Sequence, residues 1–474
     1  MGSIATRPRK VAPSNYLVCG DCCEAMTVPL TRPAAARAVA DELRADPHAA
    51  SASTEPHSAP ASAEPAPPKK YAEGREFILM VTFMMAMGAI SIDLMLPAFA
   101  DMRKEFGMVP DSPRITWMIT AFFLGLAVGP WFFGPPSDRY GRKPLLHAGI
   151  VLYVLSAVAA VLAPNFATLV AVRFVWGIAA GAPRALTLAM IRDRYSGEDM
   201  ARLMSLIMAV FILVPVLAPA LGAGLMTIFP WRVVFWVPGI WAIAVAVWAR
   251  RMPETLPPER RRPPSRGAFR GALKAVVSNR QTVCFGLAVA FLFGVMSAYL
   301  SSSELIFDKV YDKAGLFPVL FGIVALMLGV GSLISAHFVT RFGLLAWMRR
   351  MTMISLVLVG GFAVMAWLSQ GRPTLWVLVA GLCIVIPSVQ ALIPNCNTAA
   401  MVPLGHVAGT ASAIIGTVST AGGALIGNVI AGRFEGTIRP FAIGALLCVV
   451  ASTVCIGIGV RSADDFEPSG VSRN

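Results

Sequence analysis

Charge is what this sequence has least of. Only 14% of its 474 residues are Asp, Glu, Lys or Arg, where a soluble domain carries about a quarter, so one large water-facing globular core is excluded. No nucleotide-cradling loop, metal-ligand set or nucleophile constellation occurs. The sequence therefore does not read as an enzyme, and it requires no cofactor. Cys19, Cys22 and Cys23 hold one Cys-x-x-Cys, short of the four ligands of a closed zinc site, and His48 and His57 lie far along the same segment. Cys284, Cys383, Cys396, Cys448 and Cys455 sit singly in apolar runs, which implies no disulfide framework. The net charge of +14 is spread over short links instead of forming one basic stripe among aromatics, and this excludes nucleic acid as a partner.

Apolar residues fill the space that charge leaves: 56% are hydrophobic and the mean hydropathy is +0.68. Stretches long enough to cross a bilayer, about 20 residues each, recur near 77–98, 114–134, 144–163, 166–191, 200–225, 231–249, 281–303, 315–339, 349–368, 373–396, 406–432 and 437–460. The expected fold is all-α and integral to the membrane. Residues 1–75, rich in Ala, Pro and Ser, read as a disordered tail. They are no signal peptide, because no apolar core follows Arg7, Arg9 and Lys10; a later translation start, at Met26 or Met80, stays open. Residues 250–280 carry nine basic residues against Glu254 and Glu259 and read as a cytoplasmic linker. It joins a first six-helix half, 76–249, to a second, 281–460, with a short tail at 461–474.

Orientation follows from the basic links. Arg139, Arg142 and Lys143 follow the second run, Arg192, Arg194 and Arg202 the fourth, and Arg341, Arg349 and Arg350 the eighth, while the links after the first and seventh mix both signs. Both termini are then cytoplasmic. An internal repeat supports two halves: LGLAVG…RYG at 124–129 and 139–141 matches LMLGVG…RFG at 326–331 and 341–343, both pieces offset by 202 residues. Parallel repeats of this kind place a binding site between the halves near the midplane.

The link Gly134-Pro-Pro-Ser-Asp-Arg-Tyr-Gly-Arg-Lys143 resembles the major facilitator signature G-x-x-x-D-R-x-G-R-[RK] between helices 2 and 3. Gly134 would admit a close helix and Gly141 a turn with positive φ. The resemblance implies that Asp138, Arg139, Arg142 and Lys143 form a gating network that steadies the outward-facing state against the second half. Pro136 departs from the usual Leu, and Thr340 stands at the Asp position of the second copy. Pro215, Pro219, Gly222 and Gly224 resemble the antiporter motif of drug:proton exporters. Arg173-Phe-Val-Trp-Gly177 resembles the family's R-F-x-x-G motif, and Ser91-Ile-Asp93-Leu-Met-Leu-Pro97 the A-I-D-M-Y-L-P segment of the Bcr/CflA drug-resistance subfamily. Pro394–Thr398 and Val407–Ser412 are also typical there. The resemblance covers about 77–460 and implies the major facilitator fold: two pseudo-symmetric six-helix halves around a central cavity.

An ionised side chain at the centre of a membrane helix costs about 2.5–3.5 kcal/mol on insertion scales and normally faces protein or a cavity. Asp93 and Arg173 both fall in the outer third of their runs, at a depth where they could pair directly or through water. A carboxylate whose pairing changes between conformations can carry a proton; the alternative is a static ion pair or a cap beside Pro97. Arg184 either binds an anionic group, pairs with a cavity acid, or anchors its helix. The methionines of the first run, Met80, Met84, Met85, Met87 and Met95, suit packing or lipid contact more than a cavity wall. Trp231 and Trp236 suit the membrane interface.

The expected activity is proton-coupled antiport: export of small amphipathic or aromatic molecules across the plasma membrane by a monomer, driven by the proton gradient. Transport of one specific metabolite is the alternative, and a non-transporting membrane sensor is the reading of a different class.

Overall fold

The computed structural model describes residues 73–261 and 266–464. The expected tail, with its cysteine cluster, lies outside the described residues up to residue 72, and so do residues 465–474 at the other end. The first-half helices are α1 (Glu73–Asp93), the short α2 (Phe99–Glu105), α3 (Trp117–Tyr140), α4 (Arg142–Val161), α5 (Phe166–Arg194), α6 (Gly197–Met226) and α7 (Val233–Ala249). After α8 (Arg266–Ser278) come α9 (Arg280–Leu305), α10 (Phe317–Phe342), α11 (Leu344–Leu368), α12 (Leu375–Gln390), α13 (Leu392–Met401), α14 (Ala408–Ala431) and α15 (Arg439–Asp464). Among the described residues, 10 apolar helical segments are long enough to span a membrane, and Leu213–Met226 and Val233–Ala249 are shorter apolar helices. The twelve expected runs are thus present as helices: Leu213–Met226 belongs to the 30-residue α6, and Val233–Ala249, with 17 residues, is the shorter one.

Two of the expected boundaries change. The first run does not end at residue 98: the span continues from Glu76 to Glu105, through a break after Asp93 and a 3-10 turn, Leu96–Ala98, that has Pro97 in its first positions. Proline cannot donate within a helix and starts the turn with its fixed φ. Asp93 therefore lies near the middle of its span instead of in the outer third. The second change is in the basic linker, which contains α8. Its turns place Phe269, Leu273 and Val277 on one exposed apolar stripe and Ala272 and Val276 inward, a four-residue periodicity hidden behind the prolines and arginines.

Glycines set the tightest helix crossings. Gly125 and Gly129 of α3 face Gly177 and Gly181 of α5, and a Cβ at Gly125 or Gly177 would overlap the backbone carbonyl of Phe174 or Phe122. Two glycine pairs at four-residue spacing let the backbones touch, the usual solution where lipid offers no hydrophobic drive for helix association. The second half repeats the device: Gly423 and Gly427 of α14 meet Phe293 and Ser297 of α9. The repeat of 202 residues also has a backbone counterpart. Gly141 (φ +101°) ends α3 and Gly343 (φ +80°) ends α10, and each passes directly into the next helix. Of the first-run methionines, Met80, Met84, Met87 and Met95 are buried and Met85 is partly so, which fits packing.

Candidate functional site

A cavity of about 530 Å³ lies between the halves, within the range of about 300–1,000 Å³ usual for small-molecule sites. Leu126, Pro130 and Trp131 of α3 and Arg184, Leu188 and Arg192 of α5 form one wall. Asn397 and Met401 of α13 and Gly409, Thr410 and Thr417 of the α14 segment form the other. Both second-half segments singled out in the sequence, 394–398 and 407–412, thus contribute to it. Trp131 Nε1 donates to Thr417 Oγ1 at 2.7 Å, and Thr417 Oγ1 lies 2.8 Å from the Ala127 carbonyl, joining the halves across the cavity's inner end. The opposite end reaches Asp138 and Arg142. The cavity therefore opens on the side of the basic links.

The other end is closed by groups from both halves. Arg103 donates to Glu304 through two nitrogens, at 2.6 and 3.0 Å, with both side chains buried. Thr116 and Thr120 hydroxyls lie 2.8 and 3.1 Å from Asn428 Oδ1, and the Phe123 and Phe293 rings meet edge to face at 5.1 Å. Arg103 in α2 and Glu304 at the end of α9 fall in stretches that the sequence reads as links of unremarkable mixed charge. Only the fold brings these two residues, 201 positions apart, together.

The 134–143 link forms a charge network, though with partners the motif does not name. Arg142 Nη1 donates to Asp138 Oδ1 and Ser137 Oγ, both at 2.6 Å, and Arg142 Nε to Asp193 at 3.3 Å. The backbone N–H groups of Arg142 and Lys143 donate to the Glu254 carboxylate at 2.9 and 3.1 Å. Glu254 thereby caps the N-terminus of α4, where a negative charge is favoured. Burial pushes this carboxyl up, but N–H bonds from Leu256, Arg142, Lys143 and Thr255 outweigh that and hold it below the usual carboxylate range. Lys143 Nζ donates to the Arg250 carbonyl, and Arg139 stacks over Tyr140 at 5.1 Å. The network ties the first half to its own linker, and none of these bonds reaches the second half. Gly134 faces open space, not a close helix, since a Cβ there would meet nothing.

Asp93 and Arg173 do not pair: among the described residues Asp93 has no hydrogen bond or ion pair, although it is buried and close enough to Tyr299 of the second half to interact electrostatically. Arg173, fully buried, instead lies over Phe122 and Trp176 at 4.4 and 5.2 Å from the ring centres, a cation–π clamp. Its Nε donates to the Met118 carbonyl at 3.4 Å, and its two Nη atoms have no hydrogen-bond partner among the described residues. Tyr153, against Trp176, donates to the Met87 carbonyl and shares a short hydrogen bond with Ser91, two residues before Asp93. Neither charge lines the cavity.

Of the α6 motif, Gly222 makes a close approach: a Cβ there would overlap the Leu94 carbonyl, next to Asp93, while Gly224 faces open space. Pro215 and Pro219 lie inside the helix, and a Cβ at Gly322 of α10 would stand 3.2 Å from the Val216 carbonyl. Thus α6 touches α1 on one side and the second half on the other. Trp231 is buried and donates to Glu105 at 2.5 Å, a structural bond the sequence did not suggest, while Trp236 is exposed.

Known proteins agree with this architecture. The chain is 30% identical over 383 residues to an uncharacterised MFS-type transporter, YdgK, of Bacillus subtilis (strain 168), covering 79% of this chain and 93% of that protein. It is 28% identical to a bicyclomycin resistance protein homolog of Haemophilus influenzae (strain ATCC 51907 / DSM 11121 / KW20 / Rd), covering 80% and 94%. A crystal structure of a D-xylose-proton symporter shares the fold, with a TM-score of 0.63, 14% identity and coverage of 79% and 97%. The sequence profile of the Major Facilitator Superfamily matches residues 78–427, and with its helical halves around a cavity this multi-pass membrane transporter belongs to that family.

Proposed function

We propose that this transporter is a proton-coupled antiporter that exports small amphipathic or aromatic molecules across the plasma membrane, working as a monomer with both termini in the cytoplasm. The observation that carries the reading is Asp93: a buried carboxylate without a partner among the described residues, at a helix break near mid-span, near the Gly222 contact of α6 and Tyr299 of the second half. A group so placed changes surroundings whenever the halves move. Protonation from outside neutralises it, and release to the inside restores the charge, so each cycle carries a proton inward as cargo leaves. The basic links place the open end of the cavity in the cytoplasm, and the contacts at Arg103–Glu304 and Asn428 hold the outer end shut. The relative named for bicyclomycin resistance supports drug-like cargo.

Asp93→Asn tests this in proteoliposomes. Uptake driven by an imposed pH gradient is expected to vanish while substrate exchange without a gradient persists, because exchange needs the cavity but not net proton movement. Gradient-driven transport at the wild-type rate would refute the role of Asp93. A carrier for one specific metabolite predicts the same coupling with a single cargo, and a substrate panel separates the two.

A further inference from the structure

Most of the cations set among the helices have their charge answered. Arg103 has Glu304, Arg142 has Asp138 and Asp193, Arg232 has Glu105, and Arg173 has two aromatic faces. Arg184 has none of these. It is exposed and lines the cavity, and among the described residues no carboxylate pairs with it. Leu188 and Arg192 follow at four-residue intervals, so one face of α5 presents Arg, Leu and Arg to the same space. Asp138 is the acid on the cavity wall, and Arg142 already holds it at 2.6 Å. A structural arginine would be paired, since an unanswered charge inside a membrane protein is costly. This one is held, unpaired, where a small molecule would lie, beside apolar Trp131, Leu126 and Leu188.

We infer that Arg184 anchors an oxyanion group on the cargo, and that the cavity selects small organic anions with an aromatic or apolar body over organic cations. This deepens the proposed function and rests on it in taking the cavity as the cargo site. A guanidinium presents parallel N–H groups that match a carboxylate, sulfonate or phosphate bidentately. The apolar walls take the remainder of the molecule, and Arg192 at the mouth adds attraction for an incoming anion. A cation would meet these arginines with no free carboxylate to receive it. Arg184 lines the cavity and Asp93 does not, so anion binding does not draw on the proton that Asp93 would carry.

The test is equilibrium binding to the full chain in lipid nanodiscs without any gradient, using probes that share one body: naphthoate, naphthalenesulfonate, naphthyl phosphate and naphthylmethylammonium. Wild-type protein is expected to bind at least one anion saturably and at least about tenfold tighter than the ammonium. Arg184→Gln is expected to weaken that anion about ten- to a hundredfold, the loss of a charge-assisted hydrogen-bonded pair, and Arg184→Lys, which keeps the charge without the fork, to fall between. The three anions distinguish planar from tetrahedral oxyanions. No saturable anion binding, preference for the ammonium, or unchanged affinity in the Lys variant overturns the inference. If the Gln variant does not insert, the Lys variant and the cation comparison on wild-type protein decide it. The binding measurement uses no gradient, so a failure of proton coupling leaves it untouched, and a failure here leaves the coupling test untouched.

Discussion

Replacing Glu304 by Gln removes one partner of the ion pair that bridges the halves at the closed end. The side chains of Arg103 and Glu304 are only 1% and 6% exposed, so the substitution strands a buried guanidinium. Breaking such a pair from one side costs about 3–5 kcal/mol. The cost falls only on the conformation that closes this end, because on opening Arg103 regains water. The lower figure, about 3 kcal/mol, applies if some water already reaches Arg103 in the variant, and it shifts the equilibrium toward opening about a hundredfold. A protein resting almost wholly closed at this end would then populate both states. Spin labels at Asp111 and Glu435, exposed residues in links at this end, read the change as a longer-distance population in pulsed EPR. Exchanging the charges, Arg103→Glu with Glu304→Arg, is expected to restore the short distance. An unchanged distribution in both Glu304→Gln and Arg103→Gln would refute the idea that the pair holds this end shut.

Gly222→Ala puts a Cβ into the Leu94 carbonyl, an overpacking that costs about 1–3 kcal/mol; thermal unfolding is expected to come earlier and transport to fall, while Gly224→Ala, facing open space, leaves both unchanged. Gly177→Ala meets the Phe122 carbonyl and is expected to reduce folded protein recovered from membranes, measured as the monodisperse fraction on size exclusion. Glu254→Gln weakens the cap on α4. Because the native carboxyl is held below its ordinary value of 4.5, its stabilisation is complete above that pH and is lost as pH falls through the lower native value. The melting-temperature gap between wild type and Glu254→Gln is therefore expected to be constant near neutrality and to close in acid; a gap independent of pH would contradict the capping role.

The helices were legible because each needs about twenty apolar residues and the links between them are charged. The 134–143 link was legible because its charges and Gly141 are fixed in spacing, and the positive φ of Gly141 and Gly343 agrees with the repeat read from the sequence. Its partners were not legible: Glu254 and Asp193 reach it from 112 and 51 residues away, a separation no local pattern encodes. The Arg103–Glu304 pair, 201 residues apart, is hidden from the sequence for the same reason. The direct pair of Asp93 with Arg173 that the sequence left open does not form, and Asp93 lies near mid-span because the span bends and continues to Glu105 instead of ending at residue 98. The aromatic pair that holds Arg173 instead was within sight, for Trp176 lies inside the very motif that contains the arginine. For α8, the signal was the recurrence of Phe269, Leu273 and Val277 at four-residue spacing.

The distribution of satisfied and unsatisfied charge also bears on how the halves would exchange access. At the closed end the bonds between halves are buried: Arg103–Glu304 and the threonine hydroxyls on Asn428. At the open end the motif's charges bond within their own half and linker, and the Asp138 side chain remains 54% exposed. Opening one end while closing the other would lose a desolvated ion pair, so the motif end must gain contacts of comparable worth, about 3 kcal/mol or more by the cost of breaking such a pair. Exposed surface salt bridges supply only about 0–1 kcal/mol each. Closure on the motif side therefore has to bury Asp138 or the helix ends around it against the second half, and a bond merely added at the surface would leave the outer end shut. Asp138→Asn is expected to leave the Arg103–Glu304 end closed in the spin-label measurement even when cargo is present, whereas opening at the wild-type level would show that other contacts carry the exchange.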